Sequence, residues 1–176
     1  MSDAFAVLVA DPPWPFADKL GTRGAEHNYP TMSIEALCRF ELPPLLPDAT
    51  LFLWRVASMQ QEALDVVQAW GFAPVKSELI WLKKTAYGKR WFGMGRTVRM
   101  EHEVCLIATR SHPENLDASI RSTFETDCDG FEARAGRHSA KPDTFYEVVE
   151  LLRAGPYVEL FARRLRAGWT CLGNEV

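Results

Sequence analysis

Ala6-Val7-Leu8-Val9-Ala10 leads without interruption into Asp11-Pro12-Pro13-Trp14. A short continuous apolar run predicts a strand buried on both faces. The Asp-Pro-Pro that follows ends it, because proline cannot donate to a strand ladder and restricts the residue before it. At a strand end this tetrapeptide also suits methyl transfer to an aromatic amine. The lone pair of adenine's exocyclic amine is delocalised into the ring, so the nitrogen attacks only when acceptors pull on its hydrogens. Asp11 supplies one acceptor, and the carbonyl of Pro12 a second, rigid one with no N–H of its own beside it. Pro13 stiffens the turn, and Trp14 offers a face on which an extruded base can stack. The plainer reading of the same residues is a strand stop followed by a core aromatic.

Beyond the turn, residues 15–30 are polar, glycine-containing and aperiodic, which predicts a functional loop placed as a lid over the turn. Ser33 caps a predicted helix to about Phe40, with Glu35 in its first turn. Leu51–Trp54 reads as the next strand. Ser58 and Gln61 have capping-box spacing before a helix over about 59–70 that stops at Gly71. Val75–Leu82 and Glu103–Thr109 read as strands. Residues 111–140 show no clear period, and Asp127-Cys128-Asp129-Gly130 within them reads as a turn, since the remaining ligands of a calcium loop are missing. Pro142 predicts the first residue of a helix to about Ala154, with Gly155 as its stop. Tyr157–Phe161 and Trp169–Leu172 close the chain as strands. This alternation predicts an α/β fold, an open and mostly parallel sheet with helices on both faces and ligands beyond the carboxyl ends of central strands. The two candidate ends carry Asp11 and Arg163.

The 176 residues suit a single domain spanning 1–176, large enough to bury about 70% of its unfolded surface. No apolar segment approaches the length of a membrane span and the start is not a secretory leader, so the expected location is cytoplasmic. Cys38, Cys105, Cys128 and Cys171 are widely spaced, with no histidines in a ligand pattern; reduced thiols and no metal site are expected. Gly93-Met94-Gly95 lacks a third glycine and follows no strand, which argues against a nicotinamide enzyme. A net charge of −3 argues against an obligate polyanion binder, but its distribution is uneven. Residues 83–100 hold six cations and no acid, with Tyr87, Trp91 and Phe92 among them. Broken by glycines, the segment reads as a mobile basic loop whose Lys83, Lys84, Lys89 and Arg90 bind phosphate while Trp91 stacks on a base. The ordinary alternative is a solvated loop.

Asp11-Pro12-Pro13-Trp14 does not stand alone. Tyr29-Pro30-Thr31-Met32-Ser33, Leu51-Phe52-Leu53-Trp54, Glu103-Val104-Cys105-Leu106-Ile107, Lys141-Pro142-Asp143, Glu159-Leu160-Phe161-Ala162-Arg163 and Gly168 to Asn174 follow in order over nearly the whole chain. Together they resemble the adenine-N6 methyltransferase family typified by the catalytic subunit of the mRNA adenosine methyltransferase, which has bacterial and phage members. The resemblance implies a Rossmann-like methyltransferase fold in which the catalytic motif precedes the cofactor strand, so that strands from opposite chain ends lie near each other. It implies S-adenosylmethionine as methyl donor, with Lys141, Glu159, Arg163 and Asn174 contacting it and Asp11 close to the transferred methyl. It also implies a nucleic-acid partner, DNA favoured over RNA, with Tyr29 and Trp14 on the substrate side; a homodimer is compatible with it. The alternatives are an RNA adenosine methyltransferase and a non-catalytic nucleic-acid-binding partner subunit. Two departures stand out. Leu165 and Arg166 occupy places where well-known members carry His and Asn, and only ten residues precede Asp11, which leaves the cofactor adenine to the C-terminal segment.

Overall fold

The computed structural model describes residues 4–15, 31–85, 87–93, 95, 97–128, 141–173 and 176. The apolar run forms β1 (Phe5–Ala10), and its side chains alternate between two cores. Leu8 and Ala10 enter one, Val7 and Val9 the other, which is why every inward position had to be apolar on both faces. β2 (Leu45–Arg55) lies parallel to β1 on one side, and β6 (Tyr157–Leu160) parallel on the other. The expected meeting of the two chain ends is thus realised, with Ala10 opposite Leu160.

The remaining strands are β3 (Ser77–Thr85), β4 (His102–Thr109), β5 (Thr123–Cys128) and β7 (Trp169–Leu172). Among the described residues they complete one sheet in the order β5-β3-β4-β2-β1-β6-β7. β4 alone runs against its neighbours β2 and β3. The arrangement is an α/β, Rossmann-like methyltransferase fold. Because β3 returns directly into β4, the basic segment emerges at the same sheet edge as Asp11.

Helices α1 (Ile34–Cys38) and α2 (Gln60–Ala69) cover one face. α3 (Asp143–Leu152) covers the other, through Phe145, Tyr146 and Val149. In α2, Ala63, Val66 and Val67 form the buried stripe at helical spacing. Trp70 then donates its indole N–H to the carbonyl of Leu37 at 2.8 Å, tying α2 to α1. Gly71, at φ +77°, turns the chain out of α2 as expected.

Several expectations need correction. Ser33 caps α1 by accepting from the Ala36 N–H at 3.1 Å, but the predicted capping box at Ser58 does not form. Met59 is the residue before α2 and makes no side-chain cap, while Gln61 instead donates to Asp65 one turn on at 2.9 Å. α3 ends at Leu152 rather than Ala154, because Arg153 turns extended and donates to Thr50 Oγ1 at 2.8 Å. β5 occupies half of the predicted Asp127 to Gly130 turn; it is an edge strand in which, over residues 123–126, only Phe124 is buried, which leaves almost no alternation to read. The predicted lid falls mostly on residues 16–30, outside the described residues. Among the described residues no helix is long and apolar enough to cross a membrane.

Candidate active site

β1 ends where Asp11 begins, and β6 ends beside it. After Leu160 the chain turns sharply at Phe161, whose φ of 61° is rare for a residue carrying a side chain. The end of β7 passes close against this turn: a Cβ on Gly173 would stand 2.2 Å from the Ala162 carbonyl oxygen, so only glycine fits. A cleft results, lined by Asp11, Lys141, Tyr146, Glu159, Phe161 and the pair Arg163 and Arg164. Those residues come from β1, the start of α3 and the strand-end turn, which is the ligand position expected of an open α/β sheet.

Lys141 lies two residues before α3 and is buried, 7% exposed. Its ammonium contacts Asp11 Oδ2 at 2.8 Å and Glu103 Oε2 at 3.0 Å, and lies 4.9 Å from the centre of the Trp54 ring. Burial alone would push a lysine toward neutrality, but Asp11 and Glu103 outweigh it and hold the Lys141 pKa above its ordinary value. Glu103 in turn pairs with Lys83. Burial raises its pKa, yet Lys141 and Lys83 together lower it to about 2. A line of alternating charge therefore runs from the basic segment through Glu103 and Lys141 to Asp11.

On the other wall, Glu159 is 7% exposed and accepts a hydrogen bond from the Tyr146 hydroxyl at 2.7 Å. Burial raises the pKa of Glu159, against the pull of that hydroxyl and of Arg166, and raises that of Tyr146 as well. A buried acid raised in this way costs stability above its folded pKa and costs nothing below its unfolded value near 4.5. Glu159→Gln keeps an oxygen for Tyr146 and removes the charge. It is expected to raise the unfolding temperature by a few degrees at pH 7 and to leave it unchanged at pH 4, as read by thermal melts at both.

The turn after Asp11 is held firmly. The Trp14 N–H donates to the Pro12 carbonyl at 2.8 Å, and the Met32 N–H donates to the Pro13 carbonyl at 2.9 Å. Pro12 thus has a nearby donor that its sequence did not suggest, and keeps one lone pair for a substrate. Trp14 corrects a stronger expectation: it is 3% exposed and donates its indole N–H to the Trp54 carbonyl at 3.0 Å. Its ring belongs to the core and fixes the turn rather than presenting an open stacking face. The reason is its position four residues past the end of a buried strand, in the same core as Leu8 and Ala10.

The basic segment is also more compensated than its composition implied. Lys83 and Lys84 lie within β3, paired with Glu103 and Glu125, and Arg90 donates to Glu101 Oε1 at 2.9 Å. Its described residues are tied by main-chain bonds, Thr85 N–H to the Lys89 carbonyl at 2.7 Å and Trp91 N–H to the Lys83 carbonyl at 3.0 Å, where a mobile loop was expected. The partner acids Glu101 and Glu103 lie just beyond the run and Glu125 lies in β5, all outside a local charge count. Lys89 and Arg90 remain at the surface, Arg90 with 80% of its side chain exposed, while Trp91 is half-buried and Tyr87 and Phe92 are exposed. Tyr29 and Asn174 lie outside the described residues. Glu103 stood in the sequence only within a family-like stretch with no role given, and Tyr146 carried no local signal; the sheet order brings Glu103 to Lys141, and the packing of α3 brings Tyr146 to Glu159.

The family model MT-A70 matches residues 5–175. The chain is 34% identical to the N(6)-adenosine-methyltransferase MT-A70-like protein of Drosophila melanogaster over 98% of its own length and 27% of that protein's. It is 32% identical to the human N(6)-adenosine-methyltransferase catalytic subunit METTL3, over 98% and 28% of the two chains. To the human N(6)-adenine-specific methyltransferase METTL4 it is 26% identical, over 98% and 37%. The chain thus spans about a quarter to a little over a third of the length of these relatives.

Proposed function

The chain belongs to the MT-A70 family, and on that premise we propose that it transfers a methyl group from S-adenosylmethionine to the exocyclic N6 amine of adenine in nucleic acid. The observation that carries the reading is Asp11 at the end of β1, braced at 2.8 Å by Lys141 and one strand away from the buried acceptor Glu159. The donor set fits such a cofactor. Glu159 offers a buried oxygen of the kind ribose hydroxyls require, Arg163 and Lys141 offer cationic donors beside it, and Asn174 is assigned to the same role from sequence. Bound there, the cofactor supplies an electrophilic methyl group.

The chain's own residues then do little acid–base chemistry. Asp11 accepts one hydrogen of the target amine and the free lone pair of Pro12 a second, which localises the nitrogen lone pair for attack. Lys141 fixes the rotamer of the Asp11 carboxylate, so that little reorganisation accompanies the reaction. Pro13 and Trp14 hold the turn through their contacts with Met32 and Trp54. DNA is the first substrate to test. RNA is the second reading, favoured by the names of relatives such as the N6-methyladenosine RNA methyltransferase MTA1 of Cryphonectria parasitica. Incorporation of labelled methyl into matched DNA and RNA strands, single and duplex, followed by nucleoside analysis, separates the two. Label in neither polymer would contradict the enzyme reading in favour of a silent partner subunit.

Affinity for the polymer must come from outside a pocket for one base. The surface cations Lys89 and Arg90 supply part of it, with Trp91 beside them. Replacing Lys89 and Arg90 together by Ala is expected to weaken nucleic-acid binding and to lower the log–log salt slope by about 0.7–0.9 per lost phosphate contact, with cofactor affinity unchanged. An unaltered slope in a salt titration would make the segment a solvated hairpin only.

A further inference from the structure

In-line methyl transfer requires the target base to approach Asp11 from the side away from the methyl donor. The cleft assigned to the donor lies over the ends of β1 and β6. The basic segment joins β3 to β4 at the same end of the sheet. In the strand order β2 stands between them, with β1 on one side and β4 on the other. A nucleic-acid strand held by the basic segment therefore crosses the end of β2 to reach Asp11. The last residue of β2 is Arg55.

Arg55 is fixed to the turn that carries Asp11. The carbonyl of the residue before it, Trp54, accepts the indole N–H of Trp14 at 3.0 Å. Ala10 pairs with Leu53, so the same register carried two residues on brings Arg55 level with Pro12. By strand alternation Arg55 belongs to the α1–α2 face, with Leu51 and Leu53, while Trp54 and the ammonium beside it occupy the other. Its cross-strand neighbour on β4, Val104, is buried and apolar. Arg55 is only partly buried, yet its Nε is enclosed and has no hydrogen-bond partner. No acid among the described residues pairs with it, whereas Lys83, Lys84 and Arg90 each have one. Folded proteins rarely leave an enclosed donor of a charged group unmatched, and such a group calls for an explanation.

We propose that Arg55 receives a backbone phosphate next to the target adenine and thereby sets the base against Pro12 and Asp11. The inference rests on the methyltransferase reading and gives it a positioning residue on the substrate side. A guanidinium suits the task because its planar fork grips phosphate through two parallel N–H bonds. With an apolar neighbour across the sheet, it reads charge rather than the identity of a base.

Single-adenine oligonucleotides of the polymer that takes up label test it, with the phosphate on the 5′ or the 3′ side of the adenine replaced in turn by a neutral methylphosphonate. In the wild-type protein one of the two replacements is expected to lower kcat/KM about tenfold or more, as loss of a charge-assisted hydrogen bond implies. Arg55→Gln should lose about the same factor on the unmodified strand and no more than about twofold further on the neutral one. Its log–log salt slope should fall by about 0.7–0.9, with S-adenosylhomocysteine affinity unchanged in calorimetry. If Arg55→Gln does not fold, Arg55→Lys, which keeps the charge and loses the fork, is read against the same two strands. Losses that multiply in the variant would place the phosphate elsewhere, and a loss that follows the neighbouring base rather than the linkage would make Arg55 a base reader; either overturns the proposal, as does an Arg55→Gln of normal activity. A wild-type protein that labels no strand would overturn the methyltransferase reading itself, whereas full labelling indifferent to Arg55 overturns only the role of that residue.

Discussion

Asp11→Ala lowers methyl transfer by about 100- to 1000-fold, the scale seen when one preorganised polar group facing the reacting atoms is removed. The amine of adenine becomes a nucleophile only when its hydrogens are drawn off the ring plane, and Asp11 is the charged acceptor in the proposed reaction. The variant still folds, because Lys141 retains Glu103 at 3.0 Å and the turn retains its bonds to Met32 and Trp54. It also keeps measurable cofactor affinity, since Glu159 and Arg163 are untouched. Single-turnover rates, read beside calorimetric binding, distinguish the effects: near-normal transfer would remove Asp11 from the role of amine acceptor.

Lys141→Met produces the larger loss of stability, about 3 kcal/mol or more, because it removes a buried ammonium from between two carboxylates and leaves Glu103 with Lys83 as its remaining cation. Its pH dependence follows from the shifts. Glu103, held at about 2 in the folded protein, contributes stability that is complete above its ordinary value of 4.5 and lost as pH falls toward 2. Lys141, raised above 10.5, contributes stability that is complete below that value and lost as pH climbs beyond it. Without the ammonium, Asp11 and Glu103 repel each other at neutral pH, and Glu103 loses one of the two cations that hold its pKa down. The gap between wild type and Lys141→Met in urea denaturation is therefore expected to be widest at pH 7 and to narrow at pH 4. A gap independent of pH would mean that Lys141 stabilises by packing against Trp54 rather than by charge.

The parts of this molecule that could be read from residues alone are those whose signal is local. An apolar run ending in Asp-Pro-Pro specified β1 and its turn, Ser33 specified the start of α1, and Gly71 the end of α2, each within a few residues of the feature it determines. The association of β1 with β6 was legible only through the resemblance, because no local pattern encodes which strands become neighbours. β5 was not legible, since over residues 123–126 of this edge strand only Phe124 is buried, which gives no amphipathic period. The site divides in the same way. Asp11, Glu159 and Lys141 were named from motifs, but the brace that Glu103 places on Lys141, the hydroxyl that Tyr146 gives Glu159 and the burial of Trp14 depend on contacts across 13 to 40 positions or more. The basic segment misled for a related reason. Its countercharges at Glu101, Glu103 and Glu125 come from the following strand register, not from the run itself.

The most direct measurement uses two oligonucleotides that differ at a single position, one carrying a lone adenine and the other a purine without the exocyclic amine at that place. Incubated with labelled S-adenosylmethionine, the first should acquire label that is recovered on nucleoside analysis as N6-methyladenine, and the second should acquire none. Equal labelling of both strands, or label recovered at another atom of the adenine ring, would contradict methyl transfer to the N6 amine at Asp11.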